Sequence, residues 1–268
     1  MSDTYAIKGG RSGRERLRLQ SNVLQSGTND FLTKIGIRPG MACLDVGCGG
    51  GDVSCELARR VGVGGGVIGL DRDVVQLDII RNEATAQQFA NIDYRAVDVT
   101  SFPSDLGTFD IVYSRYLLCH LPRRTEVLTW MVSCLKPGGV LALEDIDFSG
   151  RFCYPPQPAF DRYLSLSADV IRRRGGDPDF GLKLPVLVAE AGLSIGGVFI
   201  AHPADIEGDT KLLNAISMEN YADSIVADGL ATRTEVDQLI ATMHESARDK
   251  GVFASVARRI QVWGRRAQ

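Results

Sequence analysis

Nine residues, Leu44-Asp45-Val46-Gly47-Cys48-Gly49-Gly50-Gly51-Asp52, constrain what this chain can fold into more than any others. A β-rich run, MACLDV at 41–46, leads into them, and a helix-length segment from Gly51 to Arg60 follows. Glycines at 47, 49 and 51 let the backbone turn sharply and approach a ligand without interference from a Cβ. The loop departs from the dinucleotide fingerprint, because G-x-G-x-x-G starting at Gly47 requires glycine at 52, where the chain has Asp52. A carboxylate at the helix start also opposes a pyrophosphate seated on the helix N-terminus. Asp45 adds a second negative charge beside the loop, which favours a cationic ligand over an anionic one.

Beyond the loop, short β-rich runs alternate with helix-length segments: GVIGLD at 66–71, IDYRAVDV at 92–99, FDIVYS at 109–114 and GVLALED at 139–145. Asp73 to Ala90 and Pro122 to Leu135 fit the intervening helices, the latter stopped by Lys136-Pro137-Gly138-Gly139. Such alternation predicts βαβ units and a parallel sheet covered on both faces. Past residue 150 the apolar spacing becomes helical around Phe160, Tyr163, Leu164, Val170 and Ile171, then around Tyr221 and around Leu239, with two further strands near Ser194–Ala201 and Arg259–Trp263. The expected architecture is α/β: a doubly wound, Rossmann-like, mostly parallel seven-stranded sheet, with an N-terminal helical arm and a helical cap inserted after the fifth strand. The expected divisions are residues 1–35 for the arm and its helix, 36–150 for the core, and 151–268 for the cap, substrate region and last two strands. Within the arm, Gly9, Gly10 and Gly13 are expected to weaken any helix in the first half.

Composition narrows the function classes. With 30 basic against 33 acidic side chains in 268 residues and a net charge of −3, the chain has no global attraction for phosphate backbones, so no nucleic-acid partner is expected. The N-terminal stretch is polar and basic with no apolar leader, and no run approaches a membrane span; a cytoplasmic protein is expected. Six cysteines without a C-x-x-C pair and three scattered histidines give no metal framework. Asp71 closes the second run, 20 residues beyond Gly51, where an acid accepts hydrogen bonds from ribose hydroxyls in such folds; Asp98 closes the third. The glycine loop and these acids should converge on one crevice at the carboxyl edge of the sheet.

Taken in order, D-V-G-C-G-G-G, V-I-G-L-D, A-V-D-V, F-D-I-V-Y-S and L-K-P-G-G resemble the successive motifs of class I S-adenosylmethionine-dependent methyltransferases of the small-molecule type, over residues 36–145. The resemblance implies that Gly47, Cys48 and Gly49 lie against the methionine moiety with Asp45 beneath. It places Asp71 at the ribose, Asp98 and Val99 at the adenine, and Ser114 with Arg115 near the methionine end, and it counts Arg72 among the cofactor contacts. Arg16 and Gln20, one helical turn apart, would reach the methionine carboxylate. The implied reaction transfers the methyl group of S-adenosyl-L-methionine to oxygen, nitrogen or carbon of a small, partly apolar metabolite, leaving S-adenosyl-L-homocysteine. The alternatives are a non-methylating S-adenosylmethionine-binding protein or catalyst and, more distantly, an NAD-dependent oxidoreductase. A homodimer is the one assembly considered.

For the acceptor, Tyr5, Asp145, Phe148, Phe152 and Tyr163 are the candidate contacts. Five aromatics (Phe148, Phe152, Tyr154, Phe160, Tyr163) crowd 16 residues where the chain's 7% average gives about one, so the segment reads as a pocket lining or lid, or equally as a buried helix stripe. Glu144, Asp145 and Asp147 read as loop carboxylates beyond the fifth strand, solvated or capping unless one orients the acceptor. No catalytic residue is assigned; His120 is the histidine best placed for a base, against the favoured reading of a packed side chain capping the next helix.

Overall fold

Every β-rich run named above forms a strand of one sheet in the computed structural model, which describes residues 10–268. The strands are β1 (Ala42–Val46), β2 (Gly66–Asp71), β3 (Ile92–Ala96), β4 (Phe109–Arg115), β5 (Leu135–Asp147), β7 (Ser194–Ala201) and β10 (Arg258–Arg265), in the order β3-β2-β1-β4-β5-β10-β7. Only β10 runs antiparallel to its neighbours. Three short strands, β6 (Cys153–Tyr154), β8 (Ala204–Asp205) and β9 (Phe253–Ser255), make a separate small sheet. The chain winds outward from β1 to β3 and then returns to place β4 on the other side of β1. That reversal opens a crevice at the carboxyl ends of β1 and β4.

Side-chain alternation along the strands produces two apolar layers. Leu44, Val46, Val112 and Leu141 face one way, packing with Val127, Leu128 and Met131 of α4 (Arg124–Ser133). Cys43, Ile111, Tyr113 and Val140 face the other way, against Phe31, Leu32 and Ile35 of α1 (Gly10–Lys34) and Val53 and Leu57 of α2 (Asp52–Val61). Helix α3 (Val74–Ala86) starts where the Asp73 carboxylate accepts from the Gln76 amide at 3.0 Å.

The cap comes from two insertions, where one was expected. Helix α5 (Pro158–Arg173) follows β5, whereas α7 (Asp209–Ala227) and α8 (Arg233–Arg248) lie between β7 and β10; α7 packs on α8, α5 and α1. The short helix α6 (Leu184–Glu190) packs against β7 and β10. Two local expectations fail for the same reason, distant partners. Helix α1 is continuous from Gly10 through Gly13, because packing on α7 and α3 outweighs the weak propensity of glycine. Glu144, Asp145 and Asp147 lie inside β5, each no more than 2% exposed, and each is satisfied within the fold.

Glu144 accepts from the Tyr113 hydroxyl and from Gln261 Nε2 (2.7 Å), and pairs with Arg259 Nε at 3.1 Å. The fully buried Arg259 also donates to Thr28 Oγ1 (2.9 Å) and to the Leu24 carbonyl (3.3 Å), while Gln261 donates to the Gly27 carbonyl (3.0 Å). This network fastens α1 across the sheet end. Gly27 leaves the room it requires: a Cβ there would stand 2.6 Å from Arg259 Nη2. Gly27→Ala ordinarily stabilises a helix, but here we expect a loss of about 1 to 3 kcal/mol from overpacking, read as a lower urea midpoint. An unchanged or raised midpoint would show that the guanidinium has space to move.

Candidate active site

One cavity of about 540 Å³ occupies the crevice above β1 and β4, within the range of small-molecule sites. Its floor is the glycine loop. Gly47, Gly49 and Gly51 have φ of 76°, 48° and 73°, left-handed conformations that alternate with ordinary ones. A Cβ on Gly47 would meet the Leu117 side chain at 3.0 Å, and one on Gly51 the Tyr94 hydroxyl at 2.8 Å, so strain and space both select glycine. The Gly47 and Cys48 amides donate to the Leu70 carbonyl, and the Gly49 amide donates to Asp71 Oδ2 at 2.9 Å. The loop is therefore fastened to the end of β2.

The acids on the rim have different protonation tendencies. Burial pushes Asp45 up to about 7, against the Ser54 hydroxyl that donates to it at 2.6 Å. Burial also raises Asp71, offset by donation from the Asp73 and Gly49 amides. Asp98 is lowered, chiefly by the Thr100 hydroxyl (2.7 Å to Oδ1). Asp52 pairs with Arg115 Nη2 at 2.7 Å, which compensates the charge that the sequence reading set against a pyrophosphate. Asp71 and Asp98 keep acids on the rim beside the Arg72 guanidinium.

Arg16, Gln20, Asp45, Gly47, Cys48, Gly49, Asp71, Arg72, Asp98, Val99, Arg115, His120, Phe148 and Tyr163 all line this cavity. Arg16 is 7% exposed, donates to Gln20 Oε1 at 3.3 Å, and has a buried Nε with no hydrogen-bond partner. Three candidates are not in the lining. Ser114 turns back to donate to the Val46 carbonyl at 2.7 Å. Asp145, raised by burial to about 6, lies beneath the turn at 118–120 and accepts from the Cys119 amide at 3.1 Å. Phe152 packs edge-on to His202, with centroids 5.5 Å apart. Tyr5 lies outside the described residues.

His120 ends that turn and faces the cavity, half-buried. Burial, reinforced by the guanidiniums of Arg16 and Arg72, pushes its pKa down to about 4, so the ring is neutral at physiological pH. The sequence reading missed Tyr116, Arg151, Asn214, Ser217 and Tyr221, all of which line the cavity. Tyr116 has φ of 57°, rare for a bulky residue and a mark of backbone strain beside a site. The Leu213, Ser217 and Tyr221 spacing of four was a legible helix face; nothing local distinguished Arg151. Among the described residues, no group of three or more His, Cys, Asp or Glu is placed to hold a metal ion.

Comparison with known proteins sets this geometry in a family context. Residues 37–162 match the family described as a methyltransferase domain. A methyltransferase of Strobilurus tenacellus is 28% identical over 183 residues, 67% of this chain and 63% of that protein. A ubiquinone biosynthesis O-methyltransferase of Acinetobacter baylyi is 36% identical over 101 residues, 37% of this chain and 41% of that protein. The matches thus span 41% to 63% of these two relatives' own lengths. Among solved structures, a [4+2]-cyclase superposes with a TM-score of 0.56 at 19% identity, over 90% of this chain and 79% of that one. That likeness shows a shared fold, and the fold alone does not select the chemistry.

Asp45 gives a test with a definite sign. Between pH about 4 and about 7 the folded state holds a proton that the unfolded chain has released, so stability falls as pH rises through that window. Asp45→Asn cannot ionise. In thermal melts of the ligand-free protein we expect its stability relative to wild type to improve from pH 4 to pH 7 and then level off; a pH-independent difference would contradict the burial cost.

Proposed function

We propose that this chain, whose residues 37–162 belong to the class I S-adenosylmethionine-dependent methyltransferases, methylates a small, partly apolar metabolite. The convergence of the glycine loop, Asp71 and Asp98 on one cavity with Arg16 and Gln20 carries this reading. The residues present suit the cofactor. Asp71 would accept from the ribose hydroxyls, and Asp98 and Val99 would flank the adenine. Gly47, Cys48 and Gly49 would lie along the methionine chain, whose carboxylate supplies the anion that the buried Arg16 Nε lacks. Rim acids suit a sulfonium better than a pyrophosphate.

S-adenosylmethionine, when bound, supplies an electrophilic methyl group for in-line displacement. The protein must then hold the nucleophile about 3 to 3.5 Å from that carbon and keep water out. Tyr116, Phe148, Tyr163 and Tyr221 provide the apolar walls for this, and α1 covers the glycine loop through Arg14, which donates to the Gly50 carbonyl at 3.1 Å. His120 is neutral and able to accept a proton, but its depressed pKa makes it a weak base, so we assign it to lining the cavity. The net charge of −3 favours a small-molecule acceptor over a nucleic acid. Six free thiols suit a reducing, cytoplasmic setting, and no helix among the described residues is long and apolar enough to cross a membrane.

Calorimetric titration with S-adenosylmethionine, S-adenosylhomocysteine and NAD tests the cofactor. We expect micromolar binding of the two sulfur compounds and none of NAD; NAD binding alone would overturn the reading. In folded Asp71→Ala we expect cofactor affinity weakened by about 1.5 to 3 kcal/mol through lost charge-assisted hydrogen bonds. For His120→Asn we expect turnover within about tenfold of wild type; a loss beyond about a thousandfold with cofactor affinity intact would make it the base. Release of S-adenosylhomocysteine on adding acceptor separates a transferase from a non-methylating catalyst.

A further inference from the structure

The acceptor side of the cavity contains a cation without a counter-charge. Arg151, in the loop between β5 and β6, lines the cavity with Phe148, Tyr163 and Tyr221. Its guanidinium carbon lies 4.1 Å from the Phe148 ring centroid and 5.3 Å from that of Tyr163, and its Nη1 donates to the Tyr163 hydroxyl at 2.8 Å. Its Nε is buried with no hydrogen-bond partner. Among the described residues no carboxylate is within ion-pair reach of it: Asp147, the acid nearest in sequence, is occupied by Arg258 and by the Ser149 hydroxyl. The five acids of the cavity, Asp45, Asp52, Asp71, Asp73 and Asp98, all belong to β1–β3 and the turns or helix starts that follow them. β5 is separated from β1 by β4.

All five acids therefore lie where the cofactor is proposed to lie, together with Arg16, Arg72 and Arg115, whereas Arg151 stands at the acceptor end with no acid beside it in the lining. A guanidinium whose buried Nε finds no acceptor is unfavourable, and its planar fork matches a carboxylate. Arg16 cannot serve both needs, since the proposed function, on which this inference rests, gives it the cofactor's own carboxylate. We infer that Arg151 is the specificity-determining residue of the acceptor pocket and that the acceptor is a small carboxylate-bearing molecule. Its apolar body would lie against Ile146, Val256 and Tyr221, which line the same end.

The test uses the full chain saturated with S-adenosylhomocysteine. Benzoate, 4-hydroxyphenylacetate and 4-hydroxycinnamate are titrated by calorimetry beside their neutral amides. At least one acid should bind about tenfold or more tighter than its amide. Arg151→Gln should abolish that preference while S-adenosylhomocysteine affinity stays within about twofold, and Arg151→Lys, which keeps the charge, should retain part of it. Thermal melts check folding, and if Arg151→Gln does not fold, the acid-to-amide ratio in wild type and in Arg151→Lys decides. No acid favoured over its amide in wild type, or an undiminished preference in folded Arg151→Gln, would overturn the inference. Failure to bind S-adenosylhomocysteine at all would instead strike at the proposed function.

Discussion

The buried pair of Arg259 and Glu144 is the interaction on which the arrangement of the site depends. Burying two charges is favourable where neighbouring groups engage their other donors and acceptors, and here Tyr113 and Gln261 donate to Glu144 while Arg259 donates to Thr28 and the Leu24 carbonyl. Those partners span β4, β5, β10 and α1, so the same bonds that satisfy the pair also fix a helix to the sheet edge. Arg14, Arg16 and Gln20 are carried on that helix, and their positions over the glycine loop follow from where it is anchored. Arg115 extends the connection, donating to Thr28 on one side and to Asp52 on the other, which links the start of α2 to α1.

Electrostatically the cavity is uneven. Acids with opposite shifts sit around the glycine loop, Asp98 held low by Thr100 and Asp45 held high by burial, while the β5 side contributes Arg151 among aromatic rings. Such a division orients a ligand pair without any single strong contact, because each charged end is stabilised in only one direction.

Much of the fold was legible because its signals are local. Alternating apolar residues, glycine punctuation after β1 and strand-end acids identify β1 to β5 from short windows, and Asp71 and Asp98 follow from their register in those strands. What escaped notice depends on distant partners. A run of Glu144, Asp145 and Asp147 reads as a solvated loop until Arg259, Gln261 and Arg258 are known to face it. Helix α1, with glycines in its first turns, is held by packing on α7 and α3 and by a bond to a strand more than 200 residues later. Ser114 and Asp145 stand in the expected segments but turn away from the cavity, claimed by a backbone carbonyl and a backbone amide, and Phe152 turns to pack on His202 and Phe253. Arg151 carries no local mark at all, and only the rings around it single it out.

Strand β10 enters between β5 and β7, so the sheet is closed by a strand that follows α1 by more than 200 residues. During synthesis α1 is made well before Arg259, the side chain that fastens it. Until then Thr28 and the Leu24 carbonyl lack the guanidinium that bonds them, and Glu144 and Asp147 within β5 have no cation to meet, although β1, β4 and β5 can already receive Phe31 and Leu32. The polar fastening of α1 over the cavity therefore follows formation of the glycine loop beneath it.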